Sequence, residues 1–446
     1  MDKLYSYQIQ HTENIIRIIK KNNAVLDASD TGTGKTYCAV VACKMLNLEP
    51  FVICPKAVMS TWKNVCNYFN VKYTAIVNYD TIKLGKFYLN GKRRKCPYIE
   101  VEEKTCKWDL PDNCILIFDE AHKCSELSTQ NAKLLIGAKD TKIPIMILSA
   151  TIADHPEKFK LFFYVLNFIE PTQIKQLNIN YVKYIRIVES WIARDLKPMV
   201  RIHKMLYPDR ATRMRIDAID SFPETQITAT PYSMGEAREL EIEKEYKILA
   251  LSLDELRGKA EGDKKGILPK MMRAHQKIEL LKIPTFVELT NDFIQNGFSV
   301  VIFVNFTETL KKIGELLHTD NFIFGEQSYD DREDIIQRFQ ANKIRVIICN
   351  IKAGGVGVSL HDLQGGHPRV SLISPTWSSI DLVQALGRIH RAGSKTKSLQ
   401  RIIYAANTVE EKIADKLKVK LANINSLNNG DLDLSNINFD NNIQKF

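Results

Sequence analysis

Ser29-Asp30-Thr31-Gly32-Thr33-Gly34-Lys35-Thr36 is the stretch whose reading decides the fold. An apolar run, Ala24-Val25-Leu26, precedes it. Tyr37-Cys38-Ala39-Val40-Val41-Ala42, which reads as a helix, follows it. Strand, glycine-bearing turn and helix form the context that a phosphate-binding loop requires. Gly32 and Gly34 let the backbone approach a triphosphate, and the amides of the turn, Thr33 among them, point at anionic oxygens together with those of the new helix. Lys35 is expected to reach the β- and γ-phosphates of ATP, and the Thr36 hydroxyl to hold Mg²⁺. Ser29 stands where the general pattern has its first glycine. The competing reading is a Gly/Thr-rich surface turn before an ordinary helix.

Downstream, Cys114-Ile115-Leu116-Ile117-Phe118 is a continuous apolar run, as a parallel strand buried on both faces requires. It ends in Asp119-Glu120-Ala121-His122, and carboxylates at that end of a parallel strand sit in the ligand crevice. Asp119 is expected to hold Mg²⁺ through water, and Glu120 to polarise the attacking water as general base. Phe51-Val52-Ile53-Cys54 and Ile145-Met146-Ile147-Leu148 read as further buried strands, the latter ending in Ser149-Ala150-Thr151. Upstream, Tyr7-Gln8 precedes a helical pattern through Ile15, Ile16, Ile18 and Ile19. The Gln8 amide has the donor and acceptor to pair with an adenine edge, although most glutamines are simply solvated.

From about Leu84 to Asn113 the periodic pattern lapses, and Lys83, Lys86, Lys92, Arg93, Arg94 and Lys95 crowd together. This is a candidate nucleic-acid loop or a solvated basic hairpin. From Pro171 to Pro284 the pattern is mostly helical and strongly charged, and "GKAEGDKKG" (Gly258 to Gly266) reads as a flexible polar break. Ser299 to Val304 opens a second strand–helix series, with Val346-Ile347-Ile348-Cys349 another buried strand. The glycines Gly354, Gly355 and Gly357 follow it and suit close approach of backbone to phosphate. In "QALGRIHRAG" (Gln384 to Gly393), Arg388 and Arg391 stand three apart, the spacing of one helical face.

The chain has 446 residues, 45% of them apolar, enough for about three domains of about 150 residues with cores of their own. Its net charge of +10 fits a polyanion partner without demanding one. Nine cysteines are scattered without a CxxC pair. Cys96, Cys106, Cys114 and Cys124 fall close together at spacings that fit no ordinary zinc site, so buried or free thiols are expected. Met1 to Tyr5 lack the apolar core of a signal peptide, and no apolar run reaches the ~18 residues of a membrane span. A soluble, intracellular protein without a membrane partner is expected.

The ordered set Tyr7-Gln8, Gly34-Lys35-Thr36, Asp119-Glu120-Ala121-His122 and Ser149-Ala150-Thr151 resembles the motifs of superfamily-two helicases and translocases. "VICPKAVMSTW" (Val52 to Trp62), "NYDTI" (Asn78 to Ile82) and "LSATI" with "FKLFFYVLNFI" (Leu148 to Ile169) resemble the Swi/Snf-type DNA-dependent ATPases most. That family usually has Gly-Thr where Ala150-Thr151 stands. "RMRIDAIDSFPETQ" (Arg213 to Gln226) resembles its connection between lobes, and "IIYAANTVEEKI" (Ile402 to Ile413) its closing segment. The resemblance runs from about Leu4 to Lys416.

It implies an α/β fold of two RecA-like parallel-sheet lobes with a helical insertion between them. The expected division is an ATP-binding lobe at 1–170, a charged helical region at 171–284, a second lobe at 285–416 and an Asn-rich, loosely ordered tail at 417–446. By the same resemblance Gly357 and Gln384 contact nucleotide, and Arg388 and Arg391 reach the γ-phosphate across a cleft. Guanidinium suits that work because its planar fork stays charged and bonds phosphate at two points. The implied function is an ATP-driven motor on nucleic acid, moving on double-stranded DNA. Ser149-Ala150-Thr151 and Gly387-Arg388 look more like strand-separating DNA or RNA helicases, which is the alternative. A nucleotide-gated scaffold with vestigial ATPase is a third reading, opposed by the intact Lys35, Asp119, Glu120, Arg388 and Arg391.

Overall fold

The computed structural model describes residues 3–89, 91–102, 105–153, 155–169, 181–194, 197–219, 222–258, 266–325, 327–354, 358–376, 378–411 and 437–439. The chain divides between Ser221 and Phe222 into two compact units.

The first unit is built on a six-stranded parallel sheet. Its strands are β1 (Ala24–Asp27), β2 (Glu49–Cys54), β3 (Ala75–Asn78), β8 (Cys114–Asp119), β9 (Ile145–Leu148) and β10 (Ala211–Thr212), in the order β10-β1-β9-β8-β2-β3. Alternate residues of one strand serve opposite faces. Val52, Cys54, Ile115 and Ile117 join one apolar cluster with Ile15, Ile18 and Trp62. Phe51, Ile53, Leu116 and Phe118 join another with Phe159, Tyr184 and Ile202. Both faces are covered by helices, which explains why the strands read as unbroken apolar runs.

Helix α1 (Ser6–Asn22) and helix α2 (Lys35–Leu46) flank β1 in sequence. Gln8 Oε1 accepts from the Tyr5 amide at 3.0 Å at the first turn of α1. Asn23, at φ 57, closes its last turn by donating to the Ile19 carbonyl, the usual left-handed helix stop. In register, Asp27 lies beside Leu148 and Leu148 beside Asp119. The loops after β1, β8 and β9 therefore leave one edge of the sheet side by side.

The stretch from Leu84 to Asn113, where the periodic pattern lapses and a loop or a basic hairpin is expected, contains two antiparallel hairpins. They pair β4 (Lys86–Leu89) with β5 (Lys92–Lys95), and β6 (Ile99–Val101) with β7 (Cys106–Trp108). Short strands with one or two inward residues, such as Phe87 and Ile99, leave too little period to read. All nine cysteines are free and buried. Among the described residues no group of acidic, His or Cys side chains forms a metal cluster, and no helix is long and apolar enough to cross a membrane.

The second unit holds a seven-stranded parallel sheet. Its strands are β11 (Thr225–Tyr232), β12 (Ser299–Val304), β13 (Phe322–Ile323), β14 (Val346–Asn350), β15 (Arg369–Ile373), β16 (Ser398–Ala405) and β17 (Ile437–Phe439), in the order β13-β14-β12-β15-β16-β11-β17. Two helix-flanked parallel sheets agree with the α/β, RecA-like expectation. The helices of the 171–284 stretch are shared out: Tyr181–Ala193 and Pro198–Leu206 pack on the first core, while Glu236–Gly258 and Ile267–Leu281 pack on the second. Ile437–Phe439 adds an edge strand against β11 from the region read as a loose tail. Residues 412–436 and 440–446, and most of the 258–266 break, lie outside the described residues.

A charged pair sits inside the second core. Lys282 and Glu410, each 2% exposed, approach to 2.8 Å. Glu410 also accepts from Tyr246 Oη at 3.0 Å and from the Ala405 amide at 2.7 Å, so both carboxylate oxygens are engaged. Removing only the cation strands a buried negative charge, which costs roughly 3–5 kcal/mol. Lys282→Met is therefore expected to destabilise the second unit by that amount, read as a lowered denaturant midpoint of its unfolding. Unchanged denaturation of the full chain would show that the pair carries no stability.

Candidate functional site

Asp27, at the end of β1, is completely buried. A buried carboxylate must be paired, and this one accepts from the Ser29 amide at 3.0 Å and faces His11 Nε2 at 3.1 Å. Burial would raise its pKa, but His11, Lys35 and Ser29 together hold it below the ordinary carboxylate range. Ser29 Oγ lies 3.2 Å from His11 Nε2 and accepts from the Met214 amide at 2.8 Å. His11 Nδ1 lies 3.1 Å from Thr212 Oγ1. The serine in place of the pattern's first glycine is thus a working residue, because a glycine could make neither side-chain contact.

Beyond Ser29 the loop stays tied to the strand at its side. The Ala28 and Asp30 amides donate to the Thr212 and Met214 carbonyls at 3.0 and 3.1 Å. Arg213 Nε donates to Asp30 Oδ1 at 3.1 Å, and the Ile216 amide to Asp30 Oδ2 at 2.9 Å. Gly32 and Gly34 then turn at φ 86 and 96, where residues with a Cβ are strained. Lys35 Nζ donates to the Ser29 and Asp30 carbonyls at 2.7 and 3.1 Å, spanning the ring its loop makes. Thr33 is buried with its hydroxyl donating to the Asp30 carbonyl at 2.8 Å, and Thr36 is half-buried in the first turn of α2.

Gln8 belongs to this loop in a way its sequence position did not reveal. Its Nε2 donates to the Thr33 carbonyl at 2.9 Å while Oε1 takes the Tyr5 amide. In this structure both ends of the amide are occupied by the protein. Sequence separations of 25 to about 200 residues hide such contacts from local pattern reading.

Across the sheet edge, Asp119 Oδ2 accepts from Trp62 Nε1 at 2.8 Å and Oδ1 from the Glu120 amide at 3.0 Å. Burial, then the neighbouring Glu120, push the Asp119 carboxyl up to about 7, against the pull of Trp62 and Lys35. Glu120 sits in the left-handed region at φ 54, uncommon for a side chain of that size. Its Oε2 lies 3.3 Å from His122 Nδ1, which lies 3.3 Å from Ser149 Oγ. His122 thereby joins the loop after β8 to the loop after β9. The neighbouring Asp119 and Glu120 carboxylates are hard oxygen donors, the chemistry that suits Mg²⁺.

In the second unit, the helix containing Gln384 spans Ser379–Leu386 and stops at Gly387. Arg388 and Arg391 therefore lie in the turn beyond it, not on a helical face as their spacing suggested. Each guanidinium Nε bends back to the carbonyl four residues earlier, Gln384 at 2.8 Å and Gly387 at 3.1 Å. Those carbonyls have no continuing helix to serve. Arg388 Nη1 donates to the Val358 carbonyl at 3.3 Å, and Arg391 Nη1 to Ser359 Oγ at 2.8 Å. The pair is gathered on one loop, 358–360. Gln384 is buried, and Gly357 lies outside the described residues. Sequence reading did not single out His11, Asp27, Asp30, Arg213 or Thr212 as site residues, and named Trp62 only within a motif.

A Cβ placed on Gly34 would lie 2.2 Å from Gln8 Nε2, on a backbone already at φ 96. Gly34→Ala is expected to weaken nucleotide affinity at least tenfold. Adding Gln8→Ala should not restore it, because removing the clash leaves the backbone strain. Titration of both variants with a fluorescent ATP analogue checks this, and wild-type affinity in the single variant would contradict it.

The family model for DEAD/DEAH box helicases matches residues 7–159, and the helicase conserved C-terminal domain matches residues 282–393. A protein of Acanthamoeba polyphaga mimivirus, whose name describes it provisionally as an ATP-dependent RNA helicase, is 40% identical over 97% of this chain and 84% of its own length. The human SWI/SNF-related matrix-associated actin-dependent regulator of chromatin subfamily A member 1 is 21% identical over 94% of this chain and 43% of its own length. A solved Sulfolobus solfataricus SWI2/SNF2 ATPase core in complex with double-stranded DNA aligns over 96% of this chain and 94% of that one, at 19% identity and a TM-score of 0.38. With the family models and the mimiviral relative added to the phosphate loop and the Asp119–Glu120 strand end, the chain belongs to the superfamily-two helicases, ATP-hydrolysing enzymes, and within them is similar along most of its length to Swi/Snf-type proteins.

Proposed function

We propose that this helicase is a translocase on double-stranded DNA, driven by ATP hydrolysis at the loop after β1. The observation that carries the reading is Trp62. It closes the VICPKAVMSTW stretch through which the chain resembles Swi/Snf-type ATPases, and it donates directly to Asp119 at 2.8 Å. The distinguishing motif is thus part of the hydrolytic centre.

In this reading Lys35 leaves the Ser29 and Asp30 carbonyls for the β- and γ-phosphates of ATP. Thr36 and Asp119 hold Mg²⁺, which neutralises phosphate charge when bound. Glu120 takes the proton of the attacking water, oriented by His122. Arg391, half-buried on Ser359, is drawn to the γ-phosphate. Arg388, 3% exposed and bonded to Val358, holds the loop that presents it. Nucleic acid raises the turnover rate, so hydrolysis alternates with grip on the phosphate backbone.

The name of the mimiviral relative favours a second reading, an RNA helicase. ATP turnover measured without nucleic acid and with duplex DNA, single-stranded DNA and RNA separates the two, alongside strand displacement on a tailed duplex. Duplex DNA is expected to stimulate most, with no strand released. Strongest stimulation by RNA with release of a strand would replace the translocase reading.

Two variants test the roles. Glu120→Gln should keep ATP·Mg²⁺ affinity and lose turnover at least a hundredfold, the size of a general-base contribution. Arg391→Ala should cut the stimulated rate by up to ~10³-fold, as an arginine finger does, with duplex affinity little changed. Arg391→Lys should not rescue, because a point charge lacks the bidentate fork. Wild-type stimulated turnover in Arg391→Ala would remove the second unit from the chemistry.

A further inference from the structure

The β4–β5 hairpin has no part in the nucleotide site, yet its composition is extreme. Lys92-Arg93-Arg94-Lys95 makes up all of β5, and all four residues are exposed, as is Lys86 on β4. The register sets Lys86 opposite Lys95, and Arg94 and Arg93 opposite Phe87 and Tyr88. Like charges directly opposite each other destabilise an antiparallel pair. Among the described residues none of these five cations has an acidic partner, whereas nearby Lys83 is paired with Asp80 at 2.6 Å. A soluble surface ordinarily intersperses both signs, so uncompensated cations crowded onto one short hairpin are a cost that folding alone does not explain.

The hairpin is nevertheless firmly held. Phe87 is buried in the first unit's core. Tyr88 Oη lies 3.2 Å from Asn78 Nδ2 and 3.2 Å from Thr81 Oγ1, and the Arg93 guanidinium lies over the Tyr88 ring at 5.8 Å. Asn78 in turn accepts from the Thr81 amide at 3.0 Å, capping the short helix Tyr79–Ile82, and Tyr79 Oη donates to the Asp119 carbonyl at 2.9 Å. Charge is presented on a fixed scaffold fastened to the strand end that carries Asp119 and Glu120. A merely solvated basic run needs no such anchoring.

We propose that the hairpin Lys86–Lys95 binds the phosphodiester backbone of nucleic acid and is a grip of the first unit on its track. The assignment rests on the nucleic-acid motor reading above and adds the site to it. Backbone neutralisation by lysine and arginine is blind to sequence and steep in salt, because each phosphate neutralised releases condensed counterion.

The test is a combined variant, Lys92→Gln, Arg93→Gln, Arg94→Gln and Lys95→Gln, in the full chain, with Lys92→Arg and Lys95→Arg as a charge-keeping control. Affinity for a duplex DNA of about 30 base pairs and for an RNA of equal length is measured across a salt series, with ATP turnover at saturating nucleic acid. The Gln variant should bind about 10- to 100-fold more weakly at low salt to the nucleic acid that wild type binds. Its log affinity against log salt should flatten by about 2–3, at about 0.9 for each duplex phosphate the hairpin no longer neutralises. Saturated turnover should stay at the wild-type level, which also shows that the variant is folded, and the Arg control should bind as wild type. Unchanged affinity and slope in a Gln variant with full turnover would overturn the proposal and leave the motor reading intact. A wild-type protein that binds neither nucleic acid would overturn both.

Discussion

The burial of Asp27 is the constraint on which the rest of the first unit depends. A carboxylate with no solvent access must be held by the protein, and here the Ser29 amide donates to one oxygen while His11 Nε2 faces the other at 3.1 Å. Those two bonds fix α1 against β1 and set the first residue of the phosphate loop. Ser29 then passes the constraint on, taking the Met214 amide with its hydroxyl and tying the loop to a segment that returns 185 residues later. The low-dielectric setting makes each of these bonds strong when made and costly when broken. A loop that must meet a polyanion is thereby held in place before the anion arrives, which is how preorganised electrostatic sites avoid reorganisation.

The ion pair of Arg213 with Asp30 extends this arrangement to the chain's exit from the first unit. Asp30 is both a loop residue under Lys35 and an acceptor for Arg213 and the Ile216 amide. In the second unit a comparable economy is seen around loop 358–360, where Arg388 and Arg391 close both the end of a helix and the loop beside it. Arginine suits that double duty because its five donors lie in a fixed fork.

Neighbouring carboxylates are handled differently at the two strand ends. Asp27 is held ionised by a histidine and a lysine. Asp119, half-buried and beside Glu120, is pushed up to about 7. One carboxylate serves the frame, while the other is left short of positive charge. Environment, and not residue type, separates a structural acid from one suited to metal.

Much of this was legible in the chain itself. Parallel strands buried on both faces leave unbroken apolar runs, so the strands before Asp119 and Ser149, the strand–loop–helix at Lys35 and the second strand–helix series after Ser299 follow from local pattern, while the two-lobed class follows from the family resemblance. Glycines at Gly32 and Gly34 announce left-handed backbone for the same local reason. Tertiary structure alone decided what each polar side chain does there. Gln8, free by pattern to meet a base, spends its amide on Thr33. Ser29, a departure from the loop pattern, proves to be its anchor. Arg388 and Arg391 leave the helix their spacing promised, and the basic stretch, readable as a loop or a hairpin, is a hairpin. These outcomes rest on hydrogen bonds between residues from four to about 200 positions apart, and such bonds depend on direction and distance in space, which no periodicity along the chain records.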